Sequence, residues 1–204
     1  MLDGHLQSFL DRLWRAMATP LVMLGVTPNQ VTLAGLVLIL ANCAGYYWHR
    51  DPFWFGLGLA CSFVFDALDG AVARRTGTST KAGGYLDAVV DRYQEIAVFF
   101  TIAWVTGWWA LCFLALSGSL LTSYNKARTA IEIPIDNNGW PDLMERLERI
   151  IVICAALIFE RFVPVPLLPG TLYLGLSVIA ILSHLTAMQR FFRALDRIRR
   201  SETR

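Results

Sequence analysis

Four aspartates and a few small residues recur at fixed intervals in one stretch of an otherwise greasy chain. It reads Asp66-Ala-Leu-Asp69-Gly70-Ala-Val-Ala73-Arg74, then eight residues, then Gly83-Gly-Tyr-Leu-Asp87-Ala-Val-Val-Asp91. Asp66 and Asp69 are three apart and Asp87 and Asp91 four apart, so each pair projects from one face of a helix. Gly83, Asp87, Asp91 and Glu95 continue the second stripe at every fourth position. A carboxylate at membrane depth costs roughly 2.5–3.5 kcal/mol, so four in one region point to a functional site. They would repel one another unless cations neutralise them. Oxygen ligands without His or Cys suit Mg²⁺, Mn²⁺ or Ca²⁺. Two divalent ions ~3.5–4 Å apart would match four carboxylates and clamp a phosphate diester or pyrophosphate. Gly70, Ala73 and Gly83 remove side-chain bulk beside them, which suits either the approach of a ligand or close helix packing.

The elements that position these residues are predicted to be membrane helices. Of 204 residues 55% are hydrophobic and 17% charged, and the mean hydropathy is +0.48. Six stretches, near 31–48, 53–74, 84–106, 108–129, 146–163 and 168–192, are apolar enough to cross ~30 Å of hydrocarbon as helices. They leave no room for a separate soluble domain. The expected architecture is all-α: a single membrane domain over 1–204, with a six-helix bundle over 31–192 and a basic tail over 193–204. Residues 2–17 carry Leu2, Leu6, Phe9, Leu10, Leu13 and Met17 at helical spacing, which predicts an amphipathic juxtamembrane helix, ended by Thr19-Pro20. Thr27 and Pro28 are placed to start the first span. Arginines and lysines gather at both ends of the chain and in the 74–83 and 127–145 connections, so those regions are expected on the cytoplasmic side. Trp48, Trp54, Trp104, Trp108 and Trp109 would belt the opposite interface. A net charge of +2 calls for no nucleic-acid partner. Cys43, Cys61, Cys112 and Cys154 stand singly in apolar stretches, without metal or disulfide spacing, and read as buried thiols.

Asp66, Asp69, Gly70, Ala73, Arg74, Gly83, Asp87 and Asp91 match without gap or substitution the signature of the CDP-alcohol phosphotransferase family, which the chain resembles along its whole length. The resemblance implies six transmembrane helices behind an N-terminal amphipathic helix, usually as a homodimer. It implies an enzyme of phospholipid biosynthesis that transfers a lipid phosphate from a CDP-linked lipid such as CDP-diacylglycerol to an alcohol, releasing CMP. By the same resemblance Asp66, Asp69, Asp87 and Asp91 hold two Mg²⁺ ions, with Mn²⁺ the alternative, and Asp91 also acts as general base. Gly70, Ala73 and Gly83 make room for the nucleotide, and Arg74 supports the site.

Lys126, Arg149 and Arg190 stand at the cytoplasmic ends of three different predicted spans, where three cations suit an anionic acceptor. Flanking charge that only sets topology is the plain alternative, and it accounts for Arg193 through Arg204. The runs around Lys126 and Glu145-Arg146-Leu147-Glu148-Arg149 resemble those of the phosphatidylinositol-phosphate synthase branch, where the matching residues bind the acceptor's phosphate. Leu147 stands where that branch usually has proline, and Thr129 follows Arg128 where alanine-glutamate is usual. The expected acceptor is a phosphorylated polyol, with inositol phosphate first. Glycerol phosphate, as in phosphatidylglycerophosphate synthases, or another alcohol is the alternative within the family. An ion-coupled transporter is the rival from another class, and it would need broken helices and internal repeats, neither of which the sequence displays.

Overall fold

In the computed structural model, which describes residues 14, 16–134 and 143–202, helix boundaries follow local capping chemistry. α1 covers residues 16–23 and ends in a turn at Gly25, whose φ of 70° is the left-handed region open to glycine. The break expected at Thr19-Pro20 is therefore displaced. Proline removes only its own N–H, and the Pro20 carbonyl accepts from the Leu24 N–H at 3.0 Å. The amphipathic helix expected over 2–17 falls almost entirely outside the described residues. α2 (Pro28–His49) starts as predicted. The Thr27 N–H donates to Gln30 Oε1 at 2.9 Å and the Gln30 N–H donates back to Thr27 Oγ1 at 3.4 Å, a reciprocal cap with proline at the first helical position.

α3 (Pro52–Asp66) and α4 (Leu68–Thr76) correspond to one predicted span, interrupted at Ala67. No Gly or Pro signals this interruption. Ala67 keeps helical angles (φ −62°, ψ −8°) and its N–H still reaches the Phe63 carbonyl at 3.1 Å, so the helix is loosened there rather than turned. The expected span nevertheless continues through it as one helix, Pro52–Thr76. Gly77, at φ 67°, ends α4 by donating its N–H to the Ala73 carbonyl. α5 (Lys81–Thr106) opens with the Gly83 N–H donating to Thr80 Oγ1 at 3.0 Å. α6 (Trp109–Glu132) follows a turn at Gly107. α7 (Arg146–Phe159) begins with a capping box in which Glu145 and Glu148 each accept the other's backbone N–H. α8 (Thr171–Glu202) is held at its start by Glu160, whose Oε2 accepts from Thr171 Oγ1 at 2.9 Å and from the Leu172 N–H at 2.5 Å.

Among the described residues three helices are long and apolar enough to cross a membrane: Pro28–His49, Pro52–Thr76 and Thr171–Glu202. α5 carries Asp87, Asp91, Arg92 and Glu95, and α7 has 14 residues, about 21 Å of helix. α5, α6 and α7 thus depart from the expected plain hydrophobic spans, α5 and α6 through the polar residues they carry and α7 through its length.

The chain groups into two compact units, Met1–Ala44 with Gly58–Ala97 and Gly45–Leu57 with Val98–Arg204. In the first, Ala18, Val31, Leu68, Ala71 and Val72 form a buried cluster joining α1, α2 and α4. In the second, α6 and α7 both pack on α8. The α6–α8 seam closes on Gly118, where an added Cβ would come within 2.9 Å of the Ser183 side chain. The α7–α8 seam closes on Gly175, where one would meet the Ala156 methyl at 2.5 Å. Small residues let helices approach in this way where no hydrophobic effect drives them together. Cys43, Cys112 and Cys154 are buried as expected, whereas Cys61 is exposed. It lies on the outward side of an apolar helix, which would face lipid.

Gly77→Ala is expected to destabilise the protein by roughly 1–2 kcal/mol, because a Cβ is disfavoured in the left-handed region. A lower midpoint of thermal unfolding in detergent checks it.

Candidate active site

Within the first unit, α3 delivers Asp66 at its last residue, and α5 delivers Asp87 and Asp91 one turn apart. One ligand oxygen from each of these three lies within 4.8 Å of the others. Asp66 and Asp91 are buried and Asp87 is half-buried. Three carboxylates this close, with no His or Cys among them, make a donor set that fits a divalent cation of the Mg²⁺ or Mn²⁺ kind. Arg92 adds positive charge at the edge: its guanidinium lies 3.6 Å from Asp91 Oδ2 and 3.0 Å from Glu95 Oε2. Glu95, the last of the every-fourth stripe, is thus a buried partner of Arg92.

Asp69 stands apart from that trio. It lies in the first turn of α4, beyond the loosening at Ala67, and its carboxylate accepts from Thr32 Oγ1 at 2.6 Å and from the backbone N–H of Gly70. The three-residue spacing thus places the two carboxylates in different surroundings. Asp69 faces a cavity of about 390 Å³, also lined by Gly70, Ala73, Gly83 and Asp87. The five motif residues on that wall are those whose small size or charge the sequence singled out. The remaining wall comes from Thr27, Pro28, Asn29 and Thr32 at the start of α2 and from the polar 78–80 turn. A Cβ at Gly70 would come within 3.2 Å of the Arg74 guanidinium, and Arg74 itself is exposed.

Two supports were not legible as site residues. Thr32 holds Asp69, and Gln94 donates from Nε2 to Asp66 Oδ1 at 2.9 Å. For Thr32 the signal was its helical turn above Pro28, read only as helix start. For Gln94 it was an amide one helical turn from Asp91, within the polar run Asp91-Arg92-Tyr93-Gln94-Glu95.

The basic residues expected at the acceptor lie in the second unit. Arg149 and Arg190 are both buried and both grip the segment before α7. Arg149 Nη1 donates to the Met144 carbonyl at 3.1 Å, and Arg190 Nη2 donates to Glu145 Oε1 at 3.0 Å. Arg190 Nη1 also donates to the Thr122 carbonyl at 2.6 Å. Lys126, one helical turn beyond Thr122, is half-buried. Arg128 is drawn instead to Glu132, at 2.5 Å. The tail pair Arg200 and Asp196 is exposed and local.

Comparison with known proteins agrees with this picture. The family model for CDP-alcohol phosphatidyltransferase matches residues 25–188. Archaetidylinositol phosphate synthase of Pyrococcus horikoshii is 35% identical over 191 residues, covering 93% of this chain and 92% of that protein. Phosphatidylinositol phosphate synthase of Streptomyces avermitilis is 32% identical, covering 93% and 81%. Among solved structures, phosphatidylinositol phosphate synthase of Mycobacterium tuberculosis with CDP-DAG bound superposes with a TM-score of 0.78 at 29% identity, covering 90% of this chain and 94% of that one. The same enzyme in complex with manganese and citrate also gives 0.78, at 28% identity, covering 89% and 88%. The chain belongs to the CDP-alcohol phosphatidyltransferase family. It is a transferase and a membrane protein.

Proposed function

We propose that this protein is a phosphatidylinositol-phosphate-type synthase, moving a lipid phosphate from a CDP-linked lipid to a phosphorylated polyol, with inositol phosphate the first candidate. The observation that carries the reading is the junction of the Asp66–Asp87–Asp91 group with a cavity walled by Asp69, Gly70, Ala73 and Gly83. The cavity offers room beside acidic ligands, which suits a nucleotide diphosphate bridged to protein through cations. Asp66, Asp69, Asp87 and Asp91 would hold two Mg²⁺ or Mn²⁺ ions. When bound, such cations neutralise the diphosphate and the departing CMP.

The chain's own residues supply the rest. Gly70, Ala73 and Gly83 leave space for cytidine and ribose, and Arg74 adds positive charge at the rim. Asp91 takes the proton from the acceptor hydroxyl as its oxygen attacks the lipid-bearing phosphorus, and the bond to CMP breaks. Lys126, Arg149 and Arg190 receive the acceptor's phosphate. The buried positions of Arg149 and Arg190 support this, since a desolvated guanidinium binds an anion more strongly than an exposed one. In this reading residues 1–204 form one membrane domain. Six spans follow an amphipathic N-terminal helix, both termini and the site face the cytoplasm, and the protein works as a homodimer.

The direct experiment supplies purified protein with CDP-diacylglycerol and Mg²⁺, offers a panel of acceptors, and reads CMP release together with product mass. Product with inositol phosphate alone supports the reading. Product with glycerol phosphate moves the protein to another acceptor class, and absence of CMP release with every acceptor removes the reading. Replacing Lys126, Arg149 or Arg190 with Ala is expected to raise the acceptor KM about ten- to a hundredfold, since a charged contact to phosphate contributes roughly 1.5–3 kcal/mol. The KM for CDP-lipid should change little, and Arg199→Ala and Arg200→Ala serve as controls.

A further inference from the structure

Gln94 is completely buried on α5, between Tyr93 and Glu95 and three residues beyond Asp91. Burying an amide is unfavourable unless its polar atoms are hydrogen-bonded. Its Nε2 donates to Asp66 Oδ1 at 2.9 Å, a contact spanning 28 residues of sequence. A carboxylate only accepts, so the amide must turn its nitrogen to Asp66. A second element bounds the same oxygen. A Cβ on Gly35 of α2 would lie 2.5 Å from Asp66 Oδ1 and 3.2 Å from its Cγ. Any side chain at position 35 would displace this carboxylate, whereas glycine lets α2 close on it.

We infer that Gln94 and Gly35 are positioning residues for the metal site, fixing the Asp66 carboxylate from two sides before a cation arrives. Asp66 sits at the end of α3, where the helix loosens at Ala67, so its own backbone constrains it less than a mid-helix position would. Orientation therefore has to come from outside the helix. Gln94 supplies a directed donor, and Gly35 supplies a close wall on which even a methyl group would meet the carboxylate. Partners behind a ligating carboxylate typically contribute ten- to a hundredfold in metal affinity. The inference rests on the reading that Asp66, Asp87 and Asp91 take a divalent cation.

The test compares wild type, Gln94→Met and Gly35→Ala by titration with Mn²⁺, following the free-ion signal by electron paramagnetic resonance. Methionine keeps the length of Gln94 and removes its donor. Alanine is a better helix former than glycine, so α2 itself is not weakened. Both variants are expected to bind Mn²⁺ ten- to a hundredfold more weakly than wild type, with excess Mn²⁺ recovering most of the turnover. A merely structural role would lower turnover at every metal concentration and leave the affinity of the folded protein unchanged. Mn²⁺ affinities within threefold of wild type in both variants would overturn the inference. If Gln94→Met does not fold, Gly35→Ala alone decides by the same threshold. A wild-type protein that binds no Mn²⁺ removes the metal-site reading and this inference with it.

Discussion

Asp66→Asn and Asp87→Asn should each reduce turnover by roughly a thousandfold or more, and each should abolish measurable Mn²⁺ binding at micromolar metal. Asparagine preserves the size of the side chain and its helical position, so the effect isolates the lost charge. Asp66 and Asp87 supply two of the three carboxylate oxygens gathered within 4.8 Å, and the loss of either removes a large part of the negative charge that compensates a dication. Asp69→Asn separates from the other two. Its carboxylate is engaged by Thr32 and the Gly70 N–H on the cavity wall, so its loss should weaken CDP-lipid binding as well as turnover. Initial rates with CDP-diacylglycerol, paired with equilibrium binding of the same lipid, make the comparison. Full activity in Asp66→Asn or Asp87→Asn would remove the metal assignment.

Asp91→Asn should behave differently. A general base contributes about 10²–10⁴-fold to turnover, yet holding the nucleotide does not require one. Turnover is expected to fall by that range while the Kd for CDP-lipid stays within a few-fold of wild type. Asp91 is buried and lies 3.6 Å from Arg92, whose stronger contact at 3.0 Å is with Glu95. If binding and turnover fell in parallel, Asp91 would act mainly as a ligand and the base would lie elsewhere.

Much of this site could be read from local sequence because the residues that do the chemistry are bound to helical spacing. Asp87 and Asp91 are one turn apart whatever surrounds them, and Gly70, Ala73 and Gly83 line a cavity because small residues leave one. Thr27, Pro28 and Gln30 marked the start of α2 through contacts no more than three residues long. What escaped depends on distance in sequence. Thr32 meets Asp69 across 37 residues and Gln94 meets Asp66 across 28, and neither pairing leaves a periodic trace. The loosening at Ala67 escaped for the opposite reason. Alanine is the strongest helix former, so local propensity argued against any interruption there. Glu145 was read within a basic run, and its capping and its hold on Arg190 emerge only once α7 and α8 are side by side.

With Arg190 in the proposed acceptor pocket, the seam at Gly118 would bear on acceptor choice from a distance. One turn beyond it, the Thr122 carbonyl receives Arg190, and on the facing helix Arg190 lies seven residues past Ser183. If Arg190 receives the acceptor's phosphate as proposed, the two helices would work like the arms of a calliper, closed at the glycine and gauging that anion at the tips. A methyl group inserted at the closed end would spread the arms without touching a charge. On that reading acceptor selectivity would be open to tuning from deep in the α6–α8 seam, by steps as fine as one carbon atom.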